Sequence, residues 1–428
     1  GEGDVPRSFV AKHISLEKET ILKQSNVSDS KIDLINSGLF AEVNISAEKI
    51  GEQDFSVSRN YGGTCPKATL PKKYDQALVK VELIPSPPHT IGGGIYFAAT
   101  EGVVVSATWQ NKNFMKKALD AGAIFQGGIK ELSATTFINK PDTFCRHQVL
   151  HADASIKHLN TIAYEGEKYS LTAGFIRHKK HTKSMITYSV LPTVEYGTLK
   201  QINNTVNQSL FGVTMNTTVN MANHSTSPTS GMVFDLTCHP YFGSLRSDAK
   251  PTAIKANAMC VFSSSVKGYL PLGEAIDTES GNVTVIASLL SWGKIAIKDF
   301  TCIPFDKRFY GGGRNSVRAY GYQLSGELNS EDKPVGGSSL LEFCVEPRVR
   351  ISKDFGAVAF FETSCVSKGE LMRDHVLCGA GFGVRYFTKF GPVRFDIALP
   401  FKRRESNKHD GKYVDRSIQF YISVGQSF

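Results

Sequence analysis

The chain has 428 residues, and its 49 Lys and Arg exceed its 40 Asp and Glu by nine. With 41% hydrophobic and 21% charged residues it can build a folded core, which excludes a disordered chain. No run of about 18 apolar residues occurs, which excludes helical membrane spans but not membrane strands, whose alternation averages to a polar composition. The basic excess is dispersed apart from one dense run over 177–183, and no nucleic-acid-binding motif accompanies it, so no nucleic-acid partner is expected. The chain starts at Gly1 without a charged stretch leading into an apolar core. A secretory signal is therefore expected to be absent or already removed, and the chain to be a mature or truncated piece. Eight cysteines stand at wide spacings that fit no zinc pattern, so a disulfide framework and unpaired strand residues both remain open.

In chain order, 16–24 (LEKETILKQ) predicts a short helix and 29–37 (DSKIDLINS) a second. Ile32, Leu34 and Ile35 form the second helix's apolar stripe, Ser28 or Asp29 caps its start, and Gly38 stops it. Strands are expected over 39–46, anchored by Phe40, Val43 and Ile45, and over 77–84, completing a small α+β module. The Pro-rich stretch 85–89 marks a boundary, because proline cannot continue a ladder and stiffens the chain.

Everything after that boundary reads as strands. Residues 91–98 and 103–110 flank a turn, and in the second of these Val103, Val105, Ala107 and Trp109 share one face. The same period of two runs through 393–401, where Val393, Phe395, Ile397 and Leu399 alternate with Arg394, Asp396 and Ala398. It returns at the end, with Ile418, Phe420, Ile422 and Val424 opposite Gln419, Tyr421, Ser423 and Gly425. A soluble sandwich alternates too, but the polar faces here carry the Gly, Tyr, Ser, Arg and Asp of a wet lumen. From 89 to 428 there is room for about 16 strands of 9 to 11 residues with their connections. Residues 215–230, rich in Asn, Ser and Thr, read as an exposed loop.

Three sharper-looking signals carry no chemistry. His147 and His151 have the helical zinc spacing but lie in strand-like sequence without the accompanying Glu. Gly379-x-Gly-x-Gly383 lies within a strand pattern and opens no helix, so it is not a dinucleotide loop. No G-x-S-x-G elbow is present.

The most informative stretch is Phe309-Tyr-Gly-Gly-Gly-Arg-Asn-Ser-Val-Arg-Ala-Tyr-Gly-Tyr322, inside a long connection from about 303 to 340. A long loop with a glycine cluster, arginines and tyrosines is not a passive linker. It resembles the loop-six motif, roughly F-x-G-G-x-x-S-x-R-G-Y, of the outer-membrane assembly family that includes the BamA, TamA and two-partner secretion proteins. Phe309, Gly311, Gly312, Ser316, Arg318 and Tyr320 carry the match, and Ala319 stands where Gly is usual. Residues 34–43 resemble the second helix and second strand of a POTRA domain, through Gly38 and Phe40. Residues 336–343 resemble the strand leaving loop six, and 360–364 (FFETS) the F-x-D-x-G strand, with Glu362 for Asp. Residues 391–400 resemble the G-P-[IV]-R-[FL]-D-I-A motif, and Phe428 is the terminal aromatic.

The resemblance spans nearly the whole chain and leans toward the TamA-like branch. It implies a mainly β fold: a 16-stranded antiparallel transmembrane β-barrel over 89–428 and an N-terminal α+β POTRA domain over 1–88, truncated at its start. It implies residence in the bacterial outer membrane with the POTRA domain in the periplasm. The implied function is assembly or secretion of β-barrel and autotransporter clients through a lateral gate, without enzymatic activity or cofactor. Implied partners are a TamB-type inner-membrane protein, unfolded outer-membrane clients and outer-membrane lipid. Arg318 on loop six would grip Glu362 on the inner wall, with Arg394 and Asp396 extending the network. The first strand must pair with the last, and Gly92, Gly93 and Gly94 on one side, with Phe420, Gly425 and Phe428 on the other, form the expected gate. The alternatives are a BamA-type or two-partner secretion transporter, a passive porin, and a barrel enzyme, for which no Ser/His pair can be assembled.

Overall fold

The computed structural model describes residues 5–15, 22–54, 73–98, 102–181, 183–201, 204–224, 227–247, 250–272, 284–371, 375–388, 391–408 and 411–424. The chain divides into two compact units, residues 1–90 with 111–120, and residues 91–110 with 121–428.

The first unit runs helix, helix, strand, strand: α1 (Arg7–His13), α2 (Gln24–Asn36), β1 (Phe40–Asp54) and β2 (Lys73–Pro85). Helix α1, which no sequence pattern predicts, starts directly after Pro6, and its Phe9 and His13 rings, one turn apart, lie tilted with centroids 4.2 Å apart. Most of the predicted 16–24 helix lies outside the described residues. Helix α2 begins at Gln24 after an extended Lys23, so Ser28 and Asp29 fall inside it and cap nothing. Of its expected stripe only Leu34 is buried; Ile32 and Ile35 are exposed. At 100° per residue, positions 32 and 35 sit well away from the direction of 34. Gly38 ends the helix with φ +67°, a conformation that a Cβ would strain, and its N–H donates to Ile35 O at 2.9 Å. Leu34, Leu39, Phe40 and Val43 then pack with Phe9 and Ala118. Strands β1 and β2 pair antiparallel and run longer than predicted, with Val43 opposite Leu83 and Ile45 opposite Val81.

The second unit is a barrel of sixteen strands: β3 (His89–Ala98), β4 (Gly102–Phe114), β5 (Leu119–Gly128), β6 (Glu131–Lys140), β7 (Gln148–Asn160), β8 (Glu165–Lys180), β9 (Met185–Gln201), β10 (Asn204–Asn220), β11 (Gly231–Ser247), β12 (Lys250–Leu272), β13 (Thr284–Ala296), β14 (Ser339–Arg350), β15 (Phe355–Ser367), β16 (Val376–Thr388), β17 (Gly391–Pro400) and β18 (Gln419–Val424). Each strand neighbours the next in sequence, and β18 returns to β3 to close the sheet. The 221–230 part of the predicted exposed loop connects β10 to β11, but Met215–Asn220 belong to β10.

Alternation decides which face is wet. In β17 Phe395 and Leu399 are exposed outward, whereas Arg394, Asp396 and Ala398 are buried on the inner face. In β18 Phe420 and Ile422 face out, and Gln419, Tyr421 and Ser423 face in. In β4 Val103, Val105 and Trp109 face out. An outer wall of large apolar side chains around a polar interior is the pattern of a barrel immersed in lipid. The 297–338 connection between β13 and β14 turns inward and fills part of the lumen, burying Ile303, Phe305, Val317, Ala319 and Tyr320.

Candidate functional site

The inward connection, here called loop six, is shaped by its own glycines before it meets the wall. Gly312 and Gly313 have φ of +94° and +98°, which only glycine adopts readily. Ser325 N–H donates to Gly311 O at 2.8 Å and Gly313 N–H to Tyr320 O at 2.9 Å, folding the tip back on itself. Ser316 Oγ accepts from Gly312 N–H at 2.8 Å and donates to Glu342 on β14. Phe309, at the loop's start, bridges to Gly337 and presses its ring over Gly293 of β13.

The tip carries Arg318 to the inner faces of β14, β15 and β17. Its backbone N–H donates to Glu362 Oε2 and its Nε to Glu362 Oε1, both at 2.7 Å. Its Nη2 donates to Glu346 Oε2 at 2.7 Å and its Nη1 to Asp396 Oδ2 at 3.2 Å. The guanidinium lies 3.5 Å above the Phe360 ring centroid, adding a cation–π contact. Burial opposes the charge of Arg318, but Glu362, Glu346 and Asp396 more than compensate and hold its proton well above the ordinary arginine value. Asp396 also accepts from Arg385 and from Arg394 Nη2 at 3.2 Å, and Glu346 from Arg348 Nε at 2.8 Å. Every carboxylate of this buried cluster meets a guanidinium, the condition under which buried charge is tolerable.

The inner face of β16 is stripped to make room for this tip. Gly379, Gly381 and Gly383 share that face, and a Cβ at each would strike Ala319, the Phe360 ring or the Asp396 carboxylate. The three-glycine motif that looked like a failed nucleotide loop is therefore a seat. Tyr320 completes the fit, its hydroxyl donating to Lys402 O at 2.9 Å and Cys378 O at 3.3 Å.

The expected gate residues are placed less compactly. Among the described residues, β18 and β3 pair through Tyr421 with Ala98 and Ile422 with Phe97. Gly92, Gly93 and Gly94 lie earlier on β3 beside β4, where a Cβ on Gly94 would meet Ser106 Oγ. Phe420 faces outward and pairs with Ile397 on β17. Gly425 and Phe428 lie outside the described residues.

The Omp85 superfamily domain matches residues 113–428, almost three quarters of the chain. This chain belongs to the Omp85 superfamily. A structure of BamA from Haemophilus ducreyi lacking POTRA domains 1–3 superposes with a TM-score of 0.75 at 14% identity, covering 99% of this chain and 83% of that one. CdiB from Escherichia coli matches with a TM-score of 0.59 at 13% identity, covering 99% and 74%. CdiB from Acinetobacter baumannii gives 0.56 at 11%, covering 99% and 72%. At such identities the likeness is one of fold. The superfamily and the barrel together make this an outer-membrane protein of a transport and assembly family.

In this Omp85 barrel a second anchor of loop six escaped sequence reasoning. Asp306 and Lys307, in the 3-10 turn Phe305–Lys307, reach the inner faces of β8 to β11. Lys168 Nζ lies 3.0 Å from both Asp306 and Glu195, and Lys307 Nζ lies 2.5 Å from Glu195. Lys307 also donates to Tyr241 OH at 2.8 Å, and Gln208 Nε2 donates to Asp306 Oδ1 at 3.2 Å. Burial alone would raise the Asp306 carboxyl, but Lys307 and Lys168 hold it below its ordinary value. Burial alone would lower Lys307, but Asp306 and Glu195 hold it above. Loop six is thus bonded to two groups of strands, β14 to β17 at its tip and β8 to β11 at its base. The available signal was charged residues at lumen-facing parity, such as Glu195 between outward Val194 and Tyr196.

Proposed function

We propose that this barrel is a TamA-like assembly factor that inserts or secretes β-barrel and autotransporter clients through the β3–β18 seam. The observation that carries the reading is the run of Gly92, Gly93 and Gly94 on the seam strand β3. Glycine weakens a strand through its backbone entropy and its missing side-chain packing, which lowers the cost of parting β3 from β18. An opened seam offers an unpaired edge on which a client strand can add by β-augmentation. Gly92, Gly93, Gly94, Phe420, Gly425 and Phe428 are the proposed gate set, and Arg318 with Glu362 the proposed lock that keeps loop six seated. Loop six packed in the lumen disfavours the passive-porin reading.

Within the same proposal, residues 1–88 form a POTRA domain in the periplasm, and a TamB-type inner-membrane protein and outer-membrane lipid are partners. The order α1, α2, β1, β2 and the Gly38–Phe40 corner support this assignment. A BamA-type or two-partner secretion role is the alternative, and the likeness to both BamA and CdiB keeps it in view.

The test is a staple. Phe97→Cys and Ile422→Cys, placed opposite each other in a background without native cysteines, should lock the seam on oxidation. Insertion of an unfolded autotransporter barrel into proteoliposomes should stop when oxidised and return on reduction. Insertion indifferent to the staple would overturn the gate.

A further inference from the structure

Tyr421 stands in two structures at once. Its backbone pairs across the seam with Ala98 and on its other side with Asp396 of β17. Its side chain points into the lumen and is almost fully buried, at 1% exposure. There its hydroxyl donates to Arg318 O at 2.9 Å and lies 3.5 Å from Tyr320 O. Both acceptors belong to the tip that Glu362, Glu346 and Asp396 hold by the Arg318 guanidinium. Asp396 closes a circuit: it pairs with Tyr421 along the sheet and binds Arg318 across the lumen.

We propose that Tyr421 is a positioning residue that latches the seam strand to the seated tip of loop six, so that the lock and the seam open in concert. The functional weight of this latch rests on the lateral-gate reading; the coupling itself rests on the geometry alone. With the tip seated, the hydroxyl bond holds β18 in line for its pairing with β3. With the tip displaced, the hydroxyl loses these two acceptors and the seam loses that support. An incoming client strand would therefore meet a β18 whose readiness to part from β3 is set by loop six.

The experiment is hydrogen exchange of the full-length barrel in nanodiscs, read on peptides covering 91–98 and 419–424. Where reclosing is faster than chemical exchange, the exchange rate scales with the open fraction. Tyr421→Phe keeps the ring and removes the hydroxyl, so seam exchange should quicken about two- to tenfold, the span expected of one net hydrogen bond. Peptides from β9 and β10 should not change.

A purely packing role would add independently to loss of the lock, whereas a latch would not. In a Glu362→Gln background, where the tip is loosened, Tyr421→Phe should add less than it does alone. Unchanged seam exchange in Tyr421→Phe, or full additivity with Glu362→Gln, overturns the latch. The gate reading is judged separately: a staple that fails to stop insertion sinks the gate even where the coupling stands, and a coupling that fails leaves the staple result untouched.

Discussion

Ala319 of loop six lies directly over Gly379 of β16, so closely that a Cβ on Gly379 would come within 2.1 Å of the Ala319 Cβ. The family motif has glycine at 319, and here the methyl is accommodated because the wall beneath it carries none. Gly379→Ala should therefore unseat the tip, with an overpacking cost of about 1–3 kcal/mol. Ala319→Gly alone should be nearly silent, and Ala319→Gly with Gly379→Ala should recover part of the loss. Recovery should be incomplete, because the new Cβ would still lie 2.9 Å from Leu399 O. Urea midpoints of the four variants in detergent micelles make the cycle, and a fully additive result would refute this packing account.

Arg318 is bound by more than its charge. Three carboxylates, a ring face and its own backbone N–H fix the guanidinium, a set that a lysine ammonium cannot reproduce in plane. Arg318→Ala should cost about 3–5 kcal/mol, much of it from leaving buried carboxylates short of a partner. Arg318→Lys should recover only a minor part. Limited proteolysis should then cut loop six in both variants while the strands stay resistant; a loop equally protected in Arg318→Lys would argue that charge alone suffices.

The base of loop six predicts a pH signature. Asp306 has its folded value below the ordinary 3.8, so its contribution is complete above that value and disappears as pH falls through the lowered one. Lys307, held above 10.5, contributes fully below that value and loses its share only as pH rises past the raised one. The gap in urea midpoint between the native barrel and Asp306→Asn should hold steady at pH 5 and 7 and shrink toward pH 3. A gap unchanged at pH 3 would show that Asp306 acts without its charge.

The two anchors touch different strands and share no partner. Lys307→Met and Arg318→Lys should therefore add within about 0.5 kcal/mol. A strong positive coupling would show that the loop detaches as one body, tip and base together.

Much of the barrel was legible because membrane strands must alternate. Arg394 and Asp396 between Val393, Phe395 and Ile397 could only face a lumen if the apolar set faced lipid. The Arg318–Glu362 contact was readable because both residues sit in recognisable motifs. Glu346, Arg385, Lys168 and Glu195 were not, because a charge at lumen-facing parity announces its direction but not which distant strand it meets. The three glycines of β16 were rightly placed in a strand, but their use was hidden for a related reason: it is to be empty, and what fills the space comes from loop six, β15 and β17. The first helix was missed because seven residues after Pro6 show no period long enough to rise above their neighbours. Tyr421 is the sharpest case, since nothing in the local alternation of β18 distinguishes a lumen tyrosine from a latch.

One more arginine ties loop six to the wall, and it yields the last prediction. Arg404, in the connection from β17 to β18, meets Asp415 twice, Nε to Oδ2 at 2.8 Å and Nη2 to Oδ1 at 2.7 Å. The same guanidinium donates to two loop-six carbonyls, Nη1 to Gly326 O at 2.6 Å and Nη2 to Leu324 O at 2.5 Å. Asp415 is buried and also accepts the Arg404 backbone N–H at 2.9 Å, so it sets the fork before the fork reaches the loop. Bidentate geometry of this kind is what lysine lacks. Arg404→Lys should therefore loosen the loop at 324–326 without disturbing Arg318, seen as faster hydrogen exchange over 320–328 and unchanged exchange over 358–364. Asp415→Asn should have the same sign and a smaller effect, because the amide keeps one acceptor while losing the charge. If Asp415→Asn loosens the loop more than Arg404→Lys does, the aspartate acts by some route other than orienting the arginine.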